Sequence, residues 1–296
     1  MTWLVTGAGG QLGSVLLAEL ARRGEDAFGV ASSRGPVPAV GVVERADITD
    51  GDAMVRLLDR VRPRFVVHAA AISSVAGALS DPGRAMAVNA TAAGMLARSA
   101  RERRVRFVHV STDMVFDGER APYAEGDAPA PLSVYGRSKL EGEREVLAAG
   151  PALVARLPLL YGIPAVRRDT TFLAQVRALR HGEPLTLFHD EWRTPLCLED
   201  AAHALIRCAE SDLTGIVHLG GPERLSRLEM GQRLADALGV DQAALRAVSR
   251  KAAPASEPRA RDLGLDATAY RTRFGEREGA ARPMAEALAA MDLASA

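Results

Sequence analysis

Tyr135 and Lys139 are the two side chains whose types and spacing most clearly predict chemistry. They stand four residues apart in the run Val-Tyr-Gly-Arg-Ser-Lys (134–139), and residues at i and i+4 share one helix face with Cβ atoms roughly 5–6 Å apart. A lysine ammonium beside a phenol favours the ionised form, which lowers a tyrosine pKa that is ordinarily about 10. The pair therefore predicts a tyrosine that gives a proton to a reacting oxygen.

A glycine-rich segment, TGAGGQLG at residues 6–13, predicts a dinucleotide-binding turn. It lies between the apolar run Trp3–Thr6 and a helical pattern that begins near Leu12. In this context the first glycine allows a tight turn, the second lets a pyrophosphate approach the backbone, and the third lets helix and strand pack closely. The helix amino terminus adds N–H donors for the phosphates. The residues expected to surround the phosphates are Gly7, Gly10, Gln11 and Leu12, and Gly13 is the last glycine of the pattern. The alternative is an ordinary glycine-rich turn that binds no nucleotide.

The segment after the second predicted strand indicates NADP in preference to NAD. An NAD site of this type usually carries an acidic residue about 20 residues beyond the glycines, but this region contains Ser33 and Arg34 and has no carboxylate before Glu44. Hydroxyl and guanidinium groups suit a 2′-phosphate. A solvated loop charge is the alternative for Arg34.

Composition excludes several classes of protein. Lysine plus arginine equals aspartate plus glutamate at 37 each, so no global positive field attracts nucleic acid or an anionic membrane. Cys197 and Cys208 have no second pair, and the chain starts without a basic leader, which together predict free thiols and a cytoplasmic location. The most apolar stretch, residues 65–79, is too short and polar to span a bilayer.

Apolar runs alternate with helical patterns along the first 160 residues, which predicts repeated β-α-β units. The strand runs are nearly continuous in apolar residues, as in parallel strands with helices on both faces. The fold class is therefore α/β, a Rossmann-type doubly wound parallel sheet with a smaller, interleaved carboxyl-terminal lobe. We expect an NAD(P)-binding part over 1–160 and a mainly substrate-binding lobe over 161–296, with about 198–220 returning to the sheet.

The motifs together resemble the extended short-chain dehydrogenase/reductase family. The matching segments are TGAGGQLG, Asp47-Ile48-Thr49, Val67-His68-Ala69-Ala70-Ala71, Asn89, Ser111-Thr112-Asp113 and Tyr135 to Lys139. Within that family, residues 110–118 and 131–135 are similar to the dTDP-4-dehydrorhamnose reductase branch, which also includes the beta subunit of methionine adenosyltransferase.

The resemblance implies roles for individual residues. Thr112 would hydrogen-bond the substrate carbonyl, Tyr135 would donate the proton, and Lys139 would hold the nicotinamide ribose. Asp47 and Ile48 would flank the adenine, with a turn aspartate as the alternative for Asp47. Ala69, Ala70 and Ala71 would line the cofactor. Asn89 would steady the active-site backbone, with an ordinary polar residue of a helix as the alternative. His68 and His109, inside apolar runs, are expected to be core histidines.

Two positions depart from the rhamnose-forming reductases. Those enzymes usually carry tyrosine where this chain has Met114 and tryptophan where it has Leu159, so a different sugar or a reshaped pocket is expected. Arg193, in a substrate-side turn, is expected to meet a diphosphate or carboxylate, with a solvated arginine as the alternative. Arg259 and Arg261 would act similarly on a nucleotide diphosphate, with solvated arginines in a polar loop as the alternative.

The sequence thus predicts an NADPH-dependent ketone reductase, and the resemblance implies a 4-keto-6-deoxy nucleotide sugar or a related polar ketone as its substrate. The alternatives are an NADP-binding regulatory subunit similar to the methionine adenosyltransferase beta subunit, and an NADP-binding sensor without turnover. No carboxylate cluster has convincing ligand spacing, so no metal is predicted in the active site. A homodimer is left open, and neither nucleic acid nor membrane is expected as a partner.

Overall fold

The computed structural model describes residues 2–32, 35, 37–252, 254–275 and 280–295. The strands are β1 Thr2–Thr6, β2 Asp26–Ala31, β3 Val42–Arg45, β4 Phe65–His68, β5 Arg106–Thr112, β6 Leu153–Leu157, β7 Leu160–Tyr161, β8 Leu185–Phe188, β9 Trp192–Arg193, β10 Leu196–Cys197, β11 Gly215–His218, β12 Leu225–Ser226 and β13 Leu245–Val248. The helices are α1 Gln11–Arg22, α2 Gly51–Val61, α3 Val75–Ser80, α4 Pro82–Met86, α5 Ala92–Glu102, α6 Val134–Ala149, α7 Thr171–Arg180, α8 Leu198–Glu210, α9 Arg227–Leu238, α10 Thr268–Phe274 and α11 Met284–Ala289.

A seven-stranded sheet in the order β11-β6-β5-β4-β1-β2-β3 forms the centre of the molecule, and every neighbouring pair is parallel. The chain leaves β1 towards one edge and returns at β4 to build towards the other, which is the reversal that defines a doubly wound sheet. Ligands bind at such a reversal, outside the carboxyl ends of the strands. The predicted Rossmann-type α/β fold is confirmed.

Helices cover both faces of this sheet, which explains why its strands are nearly continuous in apolar residues. One face packs Val5, Val67 and neighbouring side chains against α1, α8 and α10. The other packs Leu4, Val66 and their neighbours against α2, α5 and α6. Because side chains alternate along a strand, Thr6 lies on the same face as Leu4, beneath the helices that include α6.

The carboxyl-terminal lobe has a third hydrophobic core. Helices α7, α9 and α11 bury Phe172, Leu234 and Leu288 around Tyr161, and the pairs β7/β10, β8/β13 and β9/β12 lie outside the central sheet. Meanwhile α8 packs on α1 and β11 pairs with β6. The assignment of residues 1–160 to cofactor and 161–296 mainly to substrate stays a prediction. No helix in the described ranges has both the length and the apolar character needed to cross a bilayer.

The sequence pattern over residues 85–103 predicts one helix, but the structure divides it. A π-helical turn at Ala87–Thr91 separates α4 from α5, and Asn89 lies fully buried at its centre. The hydrophobic pattern of the sequence also does not predict the short strand β3, because it is an edge strand whose Val42 is 64% exposed. Such a strand has neither a continuous apolar run nor a clear alternation.

Candidate active site

The glycine turn connects β1 to α1 and lies directly against the chain that follows β4. Gly7 has a φ of +73°, and a Cβ on it would lie 2.7 Å from the Ala70 nitrogen. A Cβ on Gly13 would lie 2.2 Å from the Gly7 carbonyl oxygen. Both positions therefore exclude any side chain, as expected for a turn whose backbone must pass close to a neighbouring strand and helix.

The first turn of α1 offers uncompensated positive potential. Gly10 is its N-cap and supplies no side-chain hydrogen bond, and no acidic residue lies in the first turn, which begins with Gln11 and Leu12. Arg168, from the loop after β7, donates an Nη1 hydrogen bond of 3.0 Å to the Gly9 carbonyl oxygen. Amide donors, the helix dipole and this guanidinium together suit a phosphate.

Three alanines continue the same edge of the sheet. The Ala69 and Ala70 nitrogens each donate a 3.3 Å hydrogen bond to Thr6, the first to its carbonyl oxygen and the second to its hydroxyl. Ala69, Ala70 and Ala71 are half-buried. Their short side chains leave room for a flat ring beside the glycine turn.

The adenine-side residues are described only in part. Asp47 forms an Asx turn: its Oδ1 accepts hydrogen bonds from the Thr49 nitrogen and hydroxyl, and its Oδ2 pairs with Arg84 at 2.7 Å. Asp47 is thus a turn aspartate in this structure, and its contact with the adenine stays a prediction; Ile48 is buried against the core of the sheet. Ser33 and Arg34 lie outside the described residues.

Thr112 and Tyr135 meet where β5 ends and α6 begins. Thr112 is the last residue of β5, and Ser133 caps α6 by accepting a 3.0 Å hydrogen bond from the Gly136 nitrogen. A Cβ on Gly136 would lie 2.3 Å from the Met114 carbonyl oxygen, so only glycine allows this first turn to rest on the end of β5. Both Thr112 and Tyr135 are buried.

Burial dominates the acidity of Tyr135. It raises the pKa of the phenol to about 12; a hydrogen bond with Thr112 acts in the opposite direction, and the nearby Asp113 carboxylate raises the pKa further. The expectation of a pKa lowered by Lys139 is therefore wrong for this structure, because the lysine ammonium is held elsewhere. A phenol with this pKa carries its proton at neutral pH and can donate it.

Lys139 is buried and its ammonium is bound to strand β5. Its Nζ donates a 2.7 Å hydrogen bond to the Val110 carbonyl oxygen and lies 3.2 Å from His109 Nε2. Burial lowers the pKa of Lys139 to about 8, and the Glu143 carboxylate one turn further along α6 opposes that shift. The ammonium thus titrates near physiological pH.

Asn89 ties the loop after β4 to α6. Its Oδ1 accepts a 2.9 Å hydrogen bond from the Ile72 nitrogen, and its Nδ2 donates to the Ile72 carbonyl oxygen at 3.1 Å and to Ser138 Oγ at 2.9 Å. A Cβ on Gly142 would lie 2.1 Å from the Asn89 carbonyl oxygen. The π-helical turn and α6 therefore interlock, which fixes the helix that carries Tyr135.

The residues predicted to face the substrate occupy different surroundings. Arg193 is buried, with its Nε 3.6 Å from Asp113 Oδ2 and its Nη2 3.3 Å from Glu191 Oε1, so the solvated alternative does not hold. Met114 is partly buried in the cluster that contains Tyr135, whereas Leu159 packs on the core of the carboxyl-terminal lobe.

Sequence reasoning missed Asp113 as a site residue, although it follows Thr112 in the quoted motif. Burial raises the pKa of its carboxyl to about 6, and Arg193 acts against that shift. It also missed a buried network below the site, in which Glu143 accepts hydrogen bonds from Ser111 Oγ and Arg156. The available signal was the polar character of these positions inside otherwise apolar strand and helix patterns.

Within the described ranges, no three His, Cys, Asp or Glu side chains come together as a metal-ligand set. Cys197 and Cys208 are free and buried.

Proteins with known sequences provide a comparison for this arrangement. The chain is 36% identical over 241 residues to a probable low-salt glycan biosynthesis reductase, Agl14, of Haloferax volcanii, which covers 80% of each protein. It is 36% identical over 263 residues to a dTDP-4-dehydrorhamnose reductase of Mycobacterium tuberculosis, covering 86% of this chain and 82% of that protein. It is also 33% identical over 270 residues to methionine adenosyltransferase 2 subunit beta of Danio rerio, covering 89% and 82%.

Solved structures match the fold over the whole chain. A dTDP-4-dehydrorhamnose reductase from Clostridium acetobutylicum superimposes with a TM-score of 0.85 at 25% identity, covering 100% of both chains. The corresponding enzyme from Bacillus anthracis, solved in complex with NADP, gives a TM-score of 0.85 at 23% identity and covers 97% and 96%. The RmlD substrate binding domain family matches residues 1–292, and the chain belongs to that family.

Proposed function

We propose that this protein reduces the ketone of a nucleotide sugar, with NADPH as the hydride source, and that the sugar is a 4-keto-6-deoxy sugar. One observation carries the proposal: Thr112, Tyr135 and Lys139 are buried together at the carboxyl edge of a parallel sheet, beside a glycine turn that excludes side chains. That edge is where doubly wound folds bind their ligands.

The chemistry divides between cofactor and protein. Bound NADPH would supply a hydride to the carbonyl carbon. Tyr135, protonated at neutral pH, would donate its proton to the oxygen as negative charge develops there, and the Thr112 hydroxyl would stabilise the same charge by hydrogen bonding. Lys139, whose Nζ is bound to the Val110 carbonyl oxygen, would hold the nicotinamide ribose.

The residues proposed to hold the cofactor fit a dinucleotide. The phosphates would lie on the amino terminus of α1 at Gly10, Gln11 and Leu12, since no side chain caps it. The three alanines after β4 leave space for the rings, and Asn89 would keep that backbone in place. The preference for NADPH over NADH rests on Ser33 and Arg34 in the sequence.

A nucleotide sugar is supported by charge as well as by the relatives. An open surface depression lies along the loop between β13 and α10, and Arg250, Lys251, Glu257 and Arg259 are among the residues that line it. Glu257 of the same loop accepts a 2.8 Å hydrogen bond from the Val134 nitrogen at the start of α6. Basic side chains next to the helix that carries Tyr135 suit a diphosphate.

A regulatory role is the second candidate. The similarity to the Danio rerio beta subunit, at 33% identity over 89% of the chain, favours it. Met114 and Leu159, which stand where rhamnose-forming reductases usually carry aromatic residues, are compatible with either role. In the regulatory case the protein would bind NADP and change the activity of a methionine adenosyltransferase catalytic subunit.

The test follows the absorbance of NADPH at about 340 nm with purified protein. The substrates, each at about 1 mM, are a panel of 4-keto nucleotide sugars and unrelated ketones. Tyr135→Phe should lower turnover by about 10²–10⁴-fold, the contribution typical of a positioned general acid, without weakening NADPH binding. Tyr270→Phe is the matched control, because Tyr270 is equally buried but lies on the opposite face of the sheet.

Undiminished reduction by Tyr135→Phe would contradict the proposed role. Tight NADPH binding without turnover of any ketone, together with a changed rate of a methionine adenosyltransferase on mixing, would favour the regulatory candidate.

A further inference from the structure

We propose that His109 is a positioning residue for Lys139: it accepts a hydrogen bond from the lysine ammonium and holds it, still charged, beneath the site. The inference deepens the proposed function and rests on it for its catalytic meaning. The interaction itself can be measured without substrate or cofactor.

His109 belongs to a polar row that crosses the sheet. Thr6 pairs with His68 between β1 and β4, and His68 pairs with His109 between β4 and β5. All three are fully buried, and the two imidazole rings stack with centroids 5.3 Å apart. Thr6 Oγ1 lies 2.7 Å from His68 Nδ1, and at the other end of the row His109 Nε2 lies 3.2 Å from Lys139 Nζ.

The contact with lysine determines the tautomer of His109. An ammonium can only donate, so Nε2 must be the acceptor and the ring proton must sit on Nδ1. Nδ1 is buried and has no hydrogen-bond partner among the described residues. A leucine at this position would leave no unsatisfied N–H, so the buried Nδ1–H of the imidazole destabilises the fold relative to leucine. The hydrogen bond that Nε2 accepts from Lys139 offsets this cost.

The ammonium has three N–H donors, and two are used for positioning. Val110 O accepts one and His109 Nε2 accepts another, while the third finds no acceptor within the described part of the chain. That third donor would remain available to a bound group.

The groups that face Lys139 leave its charge in place. Burial and the ammonium itself keep both imidazoles neutral: the pKa of His68 falls to about 3, and that of His109 falls well below its usual value. On α6 the lysine is flanked by Tyr135 and by Glu143, whose carboxylate is bound to Arg156 of β6. His109 is therefore a neutral acceptor that holds Lys139 without pairing its charge, and it is too weak a base to take the lysine proton.

The composition of the chain gives a direct assay. Among its 37 basic residues only Lys139 and Lys251 are lysines, so protein labelled with ¹³C,¹⁵N-lysine has two side-chain signals. Lys251→Arg assigns them. A pH titration of the wild type should give Lys139 a pKa of about 8. A hydrogen bond to the charged form favours that form, so His109→Leu should lower this pKa by about one unit or more.

Three further variants separate positioning from packing. His109→Gln keeps an acceptor oxygen and should restore much of the wild-type value. His68→Leu removes an equally buried imidazole from the same row without touching Lys139, and should leave the value near that of the wild type. His109→Met provides a second apolar replacement if His109→Leu does not fold.

Either of two results would overturn the proposal: an unchanged Lys139 pKa in the apolar His109 variants, or an equal shift in His68→Leu. In active preparations the basic limb of the kcat profile should move to lower pH in His109→Leu and return in His109→Gln. A protein without any tyrosine-dependent NADPH oxidation would refute the proposed function while leaving the titration result standing.

Discussion

Replacing Asp113 by asparagine should stabilise the protein at neutral and alkaline pH. The carboxyl is 3% exposed and lies between Thr112 and Arg193, with its Oδ2 3.6 Å from the arginine Nε. Burial raises its pKa from 3.8 to about 6 even though the guanidinium acts in the opposite direction. The folded protein therefore holds an Asp113 carboxylate less favourably than the unfolded chain does.

The sign and size follow from proton linkage. A carboxyl with a raised pKa binds its proton more tightly in the folded state, so its contribution is most favourable below pH 4 and is lost as pH rises through about 6. At about 1.4 kcal/mol per pKa unit the full penalty is about 3 kcal/mol. Asparagine resembles the protonated form, so Asp113→Asn should gain about 1.5 kcal/mol at pH 5 and about 3 kcal/mol above pH 7.

The assay is urea denaturation followed by circular dichroism at pH 5, 6, 7 and 8. Arg193 keeps Glu191 as a partner in the variant, so no guanidinium is left unpaired. Asp47→Asn is the contrasting control: hydrogen bonds from Thr49, the largest influence, lower the pKa of Asp47. The stability that its ionisation contributes is therefore already complete above the ordinary carboxyl pKa, and the difference between this variant and wild type should stay constant from pH 5 to 8. An Asp113→Asn protein less stable than wild type at pH 8, or a difference independent of pH, would refute the reasoning.

Two other substitutions test the network and the cofactor preference. Arg156→Leu should lower the free energy of unfolding by about 3–5 kcal/mol, because it leaves Glu143 buried without its guanidinium. In urea denaturation, the double variant Glu143→Leu/Arg156→Leu should recover most of that loss. Additive losses from the two substitutions would contradict this account. Arg34→Asp should shift binding from NADPH towards NADH, measured as the ratio of the two dissociation constants, and an unchanged ratio would contradict the prediction of a 2′-phosphate site.

Local patterns were sufficient for the sheet and for most of its helices. In the carboxyl-terminal part, the apolar run at residues 185–188 predicts a short strand and the helical period at about residues 198–210 predicts a helix, and the structure has both, at Leu185–Phe188 and Leu198–Glu210. By contrast, β3 is a four-residue edge strand with little apolar content, and the π-helical turn around Asn89 keeps the apolar period of an ordinary helix. Neither leaves a signature in the sequence.

The reacting groups were predictable because they occur in short motifs, whereas their partners come from distant parts of the chain. Lys139 stands four residues from Tyr135, but its acceptors His109 and Val110 lie on another element. The pairing of Asp113 with Arg193 likewise depends on how the carboxyl-terminal lobe folds back on β5. The predicted lowering of the tyrosine pKa failed for this reason, since spacing alone does not show where an ammonium is bound.

Shifted pKa values indicate this site without reference to any related protein, once the free energy that each shift costs the folded state at neutral pH is taken into account. Burial also raises the pKa of Cys197 to about 11 and that of Cys208 to about 12, but a thiol is already neutral at pH 7, so these shifts cost the folded state nothing there. Asp113 and Lys139 differ, because burial opposes a charge that each group would carry in water. Perturbed pKa values of this kind cluster at functional sites: Asp113 raises the pKa of Tyr135, and Lys139 lies one turn after Tyr135 on α6. Two costly buried charges therefore lie near the proposed proton donor.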